Sequence, residues 1–175
     1  MYWLLDSFEA IRDFMNLGGV VLKSIAVVIF FMWVLIVERL LYFRSTMKTM
    51  SKQIHDNWES RSERRSWNAQ QIRELMISRF SDSTSKGIAM IQTLVALCPL
   101  LGLLGTVTGM ISVFQVMAVS GSGNVRAMAA GVSQATVPTM AGMVGALSGV
   151  LLVTLLTRRA AREVEFLEDS LTMDH

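Results

Sequence analysis

Acid is missing from this chain where it is most apolar: between Asp82 and Glu163 there is no carboxylate at all. Cysteine is almost absent too. Cys98 is the single one, which excludes an internal disulfide, and with no thiol or histidine near it in sequence it reads as a small packed residue. The two histidines, His55 and His175, stand isolated on polar segments, so no nucleophile, base and orienting acid can be assembled from the apolar half. An enzyme is therefore the weakest reading, and neither a cofactor nor a metal is called for. Net charge is only +2, which makes nucleic acid a poor partner. The opening MYWLLDSFEAIRDF lacks the basic stretch and apolar core of a secretory signal, so the first apolar run is expected to stay as a helix.

What the chain does have is apolar residues in blocks. They make up 52% of its 175 residues, and their clustering identifies an all-α integral membrane protein. Residues 17–37 form a first span, 88–119 a second and 132–157 a third. The second would be about 48 Å long as one helix. That exceeds a hydrocarbon core of about 30 Å, so it tilts, kinks at Pro99 or protrudes. Lys23 is the one interior charge of the first span and either snorkels to the near interface or meets a partner's acid.

Around the spans lie amphipathic pieces. Leu4, Phe8, Ile11 and Met15 form an apolar stripe, so residues 1–16 predict a short interfacial helix with Trp3 at headgroup level, broken by Asn16, Gly18 and Gly19. Residues 38–87 form a basic connector, with a helix marked by Ile72, Leu75, Met76 and Phe80 and a link or cap over Ser81–Gly87. It is rich in Lys and Arg, from Arg39 and Arg44 through Arg61, Arg64 and Arg65 to Lys86, whereas the turn 120–131, with its GSGN, carries only Arg126. That bias places the connector and the helical tail 158–175, with Arg158, Arg159 and Arg162, in the cytoplasm and the N-terminus outside. The helices are expected to extend into the cytoplasm.

In the second span, PLLGLLGTVTGM places Gly102, Gly105 and Gly109 within roughly 60° on a helical wheel, with Thr106 about 40° from Gly102. Such a stripe serves close helix packing, or a smooth wall against which an inner helix can turn. Gly142, Gly145 and Gly149 in the third span carry the same two readings. Pro99 and Pro138 release the carbonyls of Val95 and Gln134, and both kink their helices. Thr106, Thr139 and Gln134 are polar without charge: they either satisfy local backbone or line a path. Gln134 and Thr139 fall about 140° apart on an ideal helix, so the wheel does not put them on one face.

The segments LCPLLGLLGTVTGMISVF and AAGVSQATVPTMAGMVGALSGVLL resemble the paired signature of the MotA/TolQ/ExbB proton-channel family, and the three-span, N-out, C-in layout resembles its ExbB and TolQ branches. The resemblance implies a pentameric ring of these chains in the bacterial inner membrane. Within the ring it implies a dimer of an ExbD-like single-span protein whose membrane Asp carries the proton, the whole energising a TonB-like protein for import across the outer membrane. By motif, Thr106 and Thr139 match threonines that line the ring's inner surface. Where the family often has Glu in the third span, VSQA places Gln134, which cannot titrate but can still line or contact.

Three alternatives remain at this point. A TolQ-like subunit would run the same motor for envelope integrity. A flagellar-type stator has four spans, which disfavours it. A passive oligomeric scaffold would use the glycines for packing alone. Sodium coupling also stays open, because the ion-binding acid is not in this chain.

Overall fold

Between Gly19 and Gly87 the chain contains neither glycine nor proline. No strong helix breaker stands there, and α2 accordingly runs on to Glu59. The computed structural model describes residues 2–60, 66–120 and 125–171, the side chains at 2–8, 10, 48 and 120 excepted, and these residues are almost entirely helical. The elements are α1 (Tyr2–Leu17), α2 (Gly19–Glu59), α3 (Trp67–Ser85), α4 (Ile88–Ser120) and α5 (Val125–Ser170). Three of the helices are long and apolar enough to cross a membrane, their apolar stretches lying in α2, α4 and α5.

The boundaries follow local chemistry. Among the described residues, Gly19 (φ +63°) and Gly87 (φ +85°) are the glycines in the left-handed region, and they separate α1 from α2 and α3 from α4. Ser66 caps α3 by accepting from the Ala69 amide at 3.2 Å. α2 runs unbroken for 41 residues, well past Val37. α5 already begins at Val125, so residues 125–131, read from sequence as part of a turn, are helical. Both prolines lie inside helices, Pro99 in α4 and Pro138 in α5. The GSGN stretch at 121–124, the charged run at 61–65, His175 and the side chains of Trp3, Leu4 and Phe8 lie outside the described residues.

The chain divides into two compact units, 1–33 with 93–150, and 34–92 with 151–175. In the first, α4 buries Val95, Cys98, Gly102, Gly105, Gly109 and Val113, while α5 buries Gly131, Ala135, Pro138, Gly142, Gly145 and Gly149. These positions recur at spacings of three and four, the pattern of antiparallel helices packed at a shallow angle along a narrow seam. Most of the seam residues are small. That is how helices join in lipid, where no hydrophobic driving force exists between them and close van der Waals approach must serve instead.

The second unit is built differently. Its fully buried side chains are large: Trp58, Phe80, Met47, Leu156, Leu167 and Leu171 among them. Burying one such side chain stabilises by about 1.5–3 kcal/mol when the alternative is water.

Candidate functional site

The polar residues of the apolar spans differ in what holds them. Thr139 on α5 donates its hydroxyl across the seam to the Gly102 carbonyl on α4 at 3.1 Å. The approach depends on Gly102: a β-carbon there would stand 3.0 Å from the Thr139 Cα. One turn along α4, a β-carbon on Gly105 would meet the Pro138 Cβ at 2.5 Å. A β-carbon on Gly109 would lie 2.5 Å from the Ala135 Cα, and one on Gly142 only 2.5 Å from the Cys98 carbonyl oxygen. Gly102, Gly109 and Gly142 let a neighbouring backbone occupy the place of a side chain, and Gly105 makes room for the Pro138 ring. All six glycines of the two stripes are buried inside the chain. They are taken up in joining its own helices, which leaves no glycine of either stripe facing outward.

Thr106 is placed otherwise. Half-exposed, it lies among the exposed Leu103, Val107 and Met110, and its hydroxyl donates to the Leu103 carbonyl of its own helix at 2.7 Å. Gln134 packs at the junction of α1 and α2, where a β-carbon on Gly19 would stand 2.7 Å from its amide nitrogen. The structure thus brings Thr139, Gly102, Gly105 and Pro138 together in one seam and sets Gln134 apart against Gly19. Cys98 is buried in that seam with its thiol donating to the Leu94 carbonyl at 3.3 Å.

What this arrangement can do chemically is limited in an informative way. No residue of α4, and none of α5 from 127 to 157, is Asp, Glu, Lys, Arg or His. Hydroxyls and amides can relay or orient a proton but cannot store charge. Among the described residues, no group of three or more His, Cys, Asp or Glu is placed to hold a metal. His55 lies 3.3 Å from Glu59, one turn along α2.

Two arginines that the sequence shows only as members of a basic segment have definite tasks. Arg39 on α2 donates from Nη2 to the Ser83 carbonyl at 2.6 Å and to the Thr84 carbonyl, at the C-terminal end of α3. Its guanidinium also lies 4.7 Å from the Tyr42 ring centroid and 5.5 Å from that of Phe43. Desolvation pulls the Arg39 pKa below its ordinary value, Tyr42 and Glu38 act the other way, and the group stays charged at cellular pH. Arg73 on α3 forks onto the end of α5, its Nε to Leu171 O and its Nη2 to Glu168 O, both at 2.8 Å. Each side chain supplies donors to carbonyls at the end of a helix and sets a positive charge at the negative end of its dipole. For Arg39 the signal was present: buried Met32, Ile36, Phe43 and Met47 leave position 39 on the same stripe.

Residues 42–169 match the model of the MotA/TolQ/ExbB proton channel family. The chain is also 34% identical over 84 residues to a Synechocystis protein named biopolymer transport protein ExbB-like 1. That alignment takes in 46% of this chain and 33% of the relative, so it spans about a third of the relative's length. With the match covering most of the chain, both proline-containing helices included, this protein belongs to the MotA/TolQ/ExbB proton channel family.

Proposed function

We propose that this chain is the ring-forming subunit of an ExbB-type motor in a bacterial inner membrane, with second and third spans that carry no charge. Five copies enclose a dimer of an ExbD-like single-span protein. A membrane aspartate of that partner takes up and releases the proton, and the resulting movement energises a TonB-like protein for import across the outer membrane. The chain lies N-out and C-in, with residues 17–37, 88–119 and 132–157 in the bilayer and residues 38–87 and 158–175 in the cytoplasm, as the Lys/Arg bias indicates. In this reading Thr106 lines the proton's route, Thr139 ties the wall together beside it, and Gln134 is a polar contact near the outer end.

The observation that carries the reading is the absence of any carboxylate from Ser83 to Arg162, in a member of a proton-channel family. An uncharged wall gives a moving inner helix no fixed ion pair to escape. Moving one charge through 100 mV supplies about 2.3 kcal/mol. That exceeds the roughly 0.6 kcal/mol of an average hydrogen bond between helices in a membrane, so a few such contacts can be exchanged in each step. The name of the Synechocystis relative favours the ExbB branch.

The test is purification with any co-encoded single-span protein, native mass measurement of the subunit ratio, and energised uptake with and without an uncoupler. A five-to-two assembly whose uptake stops when the proton gradient collapses supports the proposal. A passive scaffold would go on working without the gradient.

A further inference from the structure

The second unit contains a groove of about 660 Å³ that the motor reading does not use. Arg44 from α2 and Arg159 and Arg162 from α5 line it. All three arginines are exposed, and among the described residues none makes an ion pair. Arg162 uses its Nε on the Arg158 carbonyl at 3.3 Å, which leaves its two terminal nitrogens for another acceptor. The lone acid of the lining is Glu163. The rest of the wall is apolar: Phe43 is buried, while Leu40 and Leu41 present side chains 37% and 62% exposed.

Position along the helices gives the groove its meaning. The first apolar run ends at Val37 and the groove's lining begins at Leu40, one turn further along α2. The third run ends at Thr157 and Arg159 follows within a turn on α5. Both helices therefore reach the groove as they leave the hydrocarbon, at headgroup depth. Three guanidiniums above an apolar floor match one kind of molecule, with a phosphate at one end and an acyl chain at the other.

We infer that this groove is a binding site for an anionic phospholipid of the leaflet at which α2 and α5 exit, with the phosphate held by Arg44, Arg159 and Arg162 and the chain lying on Leu40 and Leu41. The lipid is a fixed part of the wall on that side. Its phosphate offsets part of the positive charge that Glu163 alone does not balance.

The test uses the full-length protein, purified with any partner that accompanies it, and native mass spectrometry at graded additions of phosphatidylglycerol, phosphatidylcholine or inorganic phosphate. Phosphatidylglycerol is expected to be retained in preference to phosphatidylcholine. Arg159→Gln should weaken its retention about fivefold, and Arg159→Gln with Arg162→Gln about 25-fold, as expected for basic residues acting at a membrane surface. Because these side chains are exposed, the variants should keep the thermal stability of the parent. Leu41→Asn should weaken lipid retention while leaving the arginines in place. Equal retention of both lipids would overturn the inference, as would unchanged retention in the double variant. Arginine-dependent binding of inorganic phosphate with no retention of phosphatidylglycerol would also overturn it, by showing a soluble-anion site. None of these outcomes depends on uptake, so the motor proposal stands or falls separately.

Discussion

The Thr139 hydroxyl bonds the Gly102 carbonyl across the seam of α4 and α5 at 3.1 Å, whereas Thr106 bonds the Leu103 carbonyl within its own helix at 2.7 Å. The two threonines look alike in the sequence and do different work. Thr139→Val breaks a tie between helices and should lower thermal stability in detergent by about 1 kcal/mol, with Thr139→Ser restoring it. Thr106→Val removes only a bond to its own helix and should leave stability within about 0.5 kcal/mol. On the motor reading it should still abolish energised uptake. Full uptake by an assembled Thr106→Val complex would take Thr106 out of the proton's route.

Gly109 and Gly87 predict opposite kinds of damage from the same substitution. At Gly109 an added β-carbon would stand 2.5 Å from the Ala135 Cα and 2.7 Å from its backbone nitrogen, atoms that no rotamer change can move. Gly109→Ala must push α4 from α5, at a cost of about 1–3 kcal/mol. At Gly87 nothing lies within 4 Å, and only the φ of +85° opposes a side chain. Gly87→Ala should cost roughly 1–2 kcal/mol and Gly87→Asn less, since asparagine tolerates the left-handed region. Chemical denaturation of the variants in mild detergent would rank them.

Gln134 and Gly19 form a pair that a double-mutant cycle can separate. Gly19→Ala meets both a φ of +63° and the Gln134 amide nitrogen at 2.7 Å. Gln134→Ala should relieve the second term alone, giving a coupling of about 0.5–1 kcal/mol with the backbone strain left in place. A coupling near zero would mean that the long glutamine side chain moves aside freely.

Arg39 should be the most sensitive charged position of the second unit. Arg39→Leu leaves the Ser83 and Thr84 carbonyls without their donor and should cost about 1.5–3 kcal/mol. Arg39→Lys recovers only part of this, because an ammonium lacks the planar fork. Hydrogen exchange should then quicken across the end of α3 and the start of α4.

Much of this architecture is legible in the chain. Long apolar blocks and the glycine periodicity announce three membrane-crossing helices and a close seam, since both signals are local and periodic. What stays hidden depends on tertiary contact. A wheel shows that Gly102, Gly105 and Gly109 share a face, but not that the face is covered by Ala135, Pro138 and Thr139 of the same chain. Arg39 and Arg73 read as two more cations in a basic connector because their acceptors are carbonyls far along the chain, and backbone acceptors leave no trace in residue identity. The length of α2 could have been read from the missing glycine and proline after Gly19. The polar, basic composition from Glu38 onward instead suggested a connector.

The central claim is that this protein supplies an uncharged housing and a companion supplies the acid. The most direct measurement is ion flux into liposomes containing this subunit alone, compared with liposomes containing it and its single-span partner, under an imposed proton gradient and potential. The account predicts no flux above empty liposomes for the subunit alone. With the partner present it predicts flux that is lost when the partner's membrane aspartate is replaced by asparagine. Proton flux through the isolated subunit would contradict it.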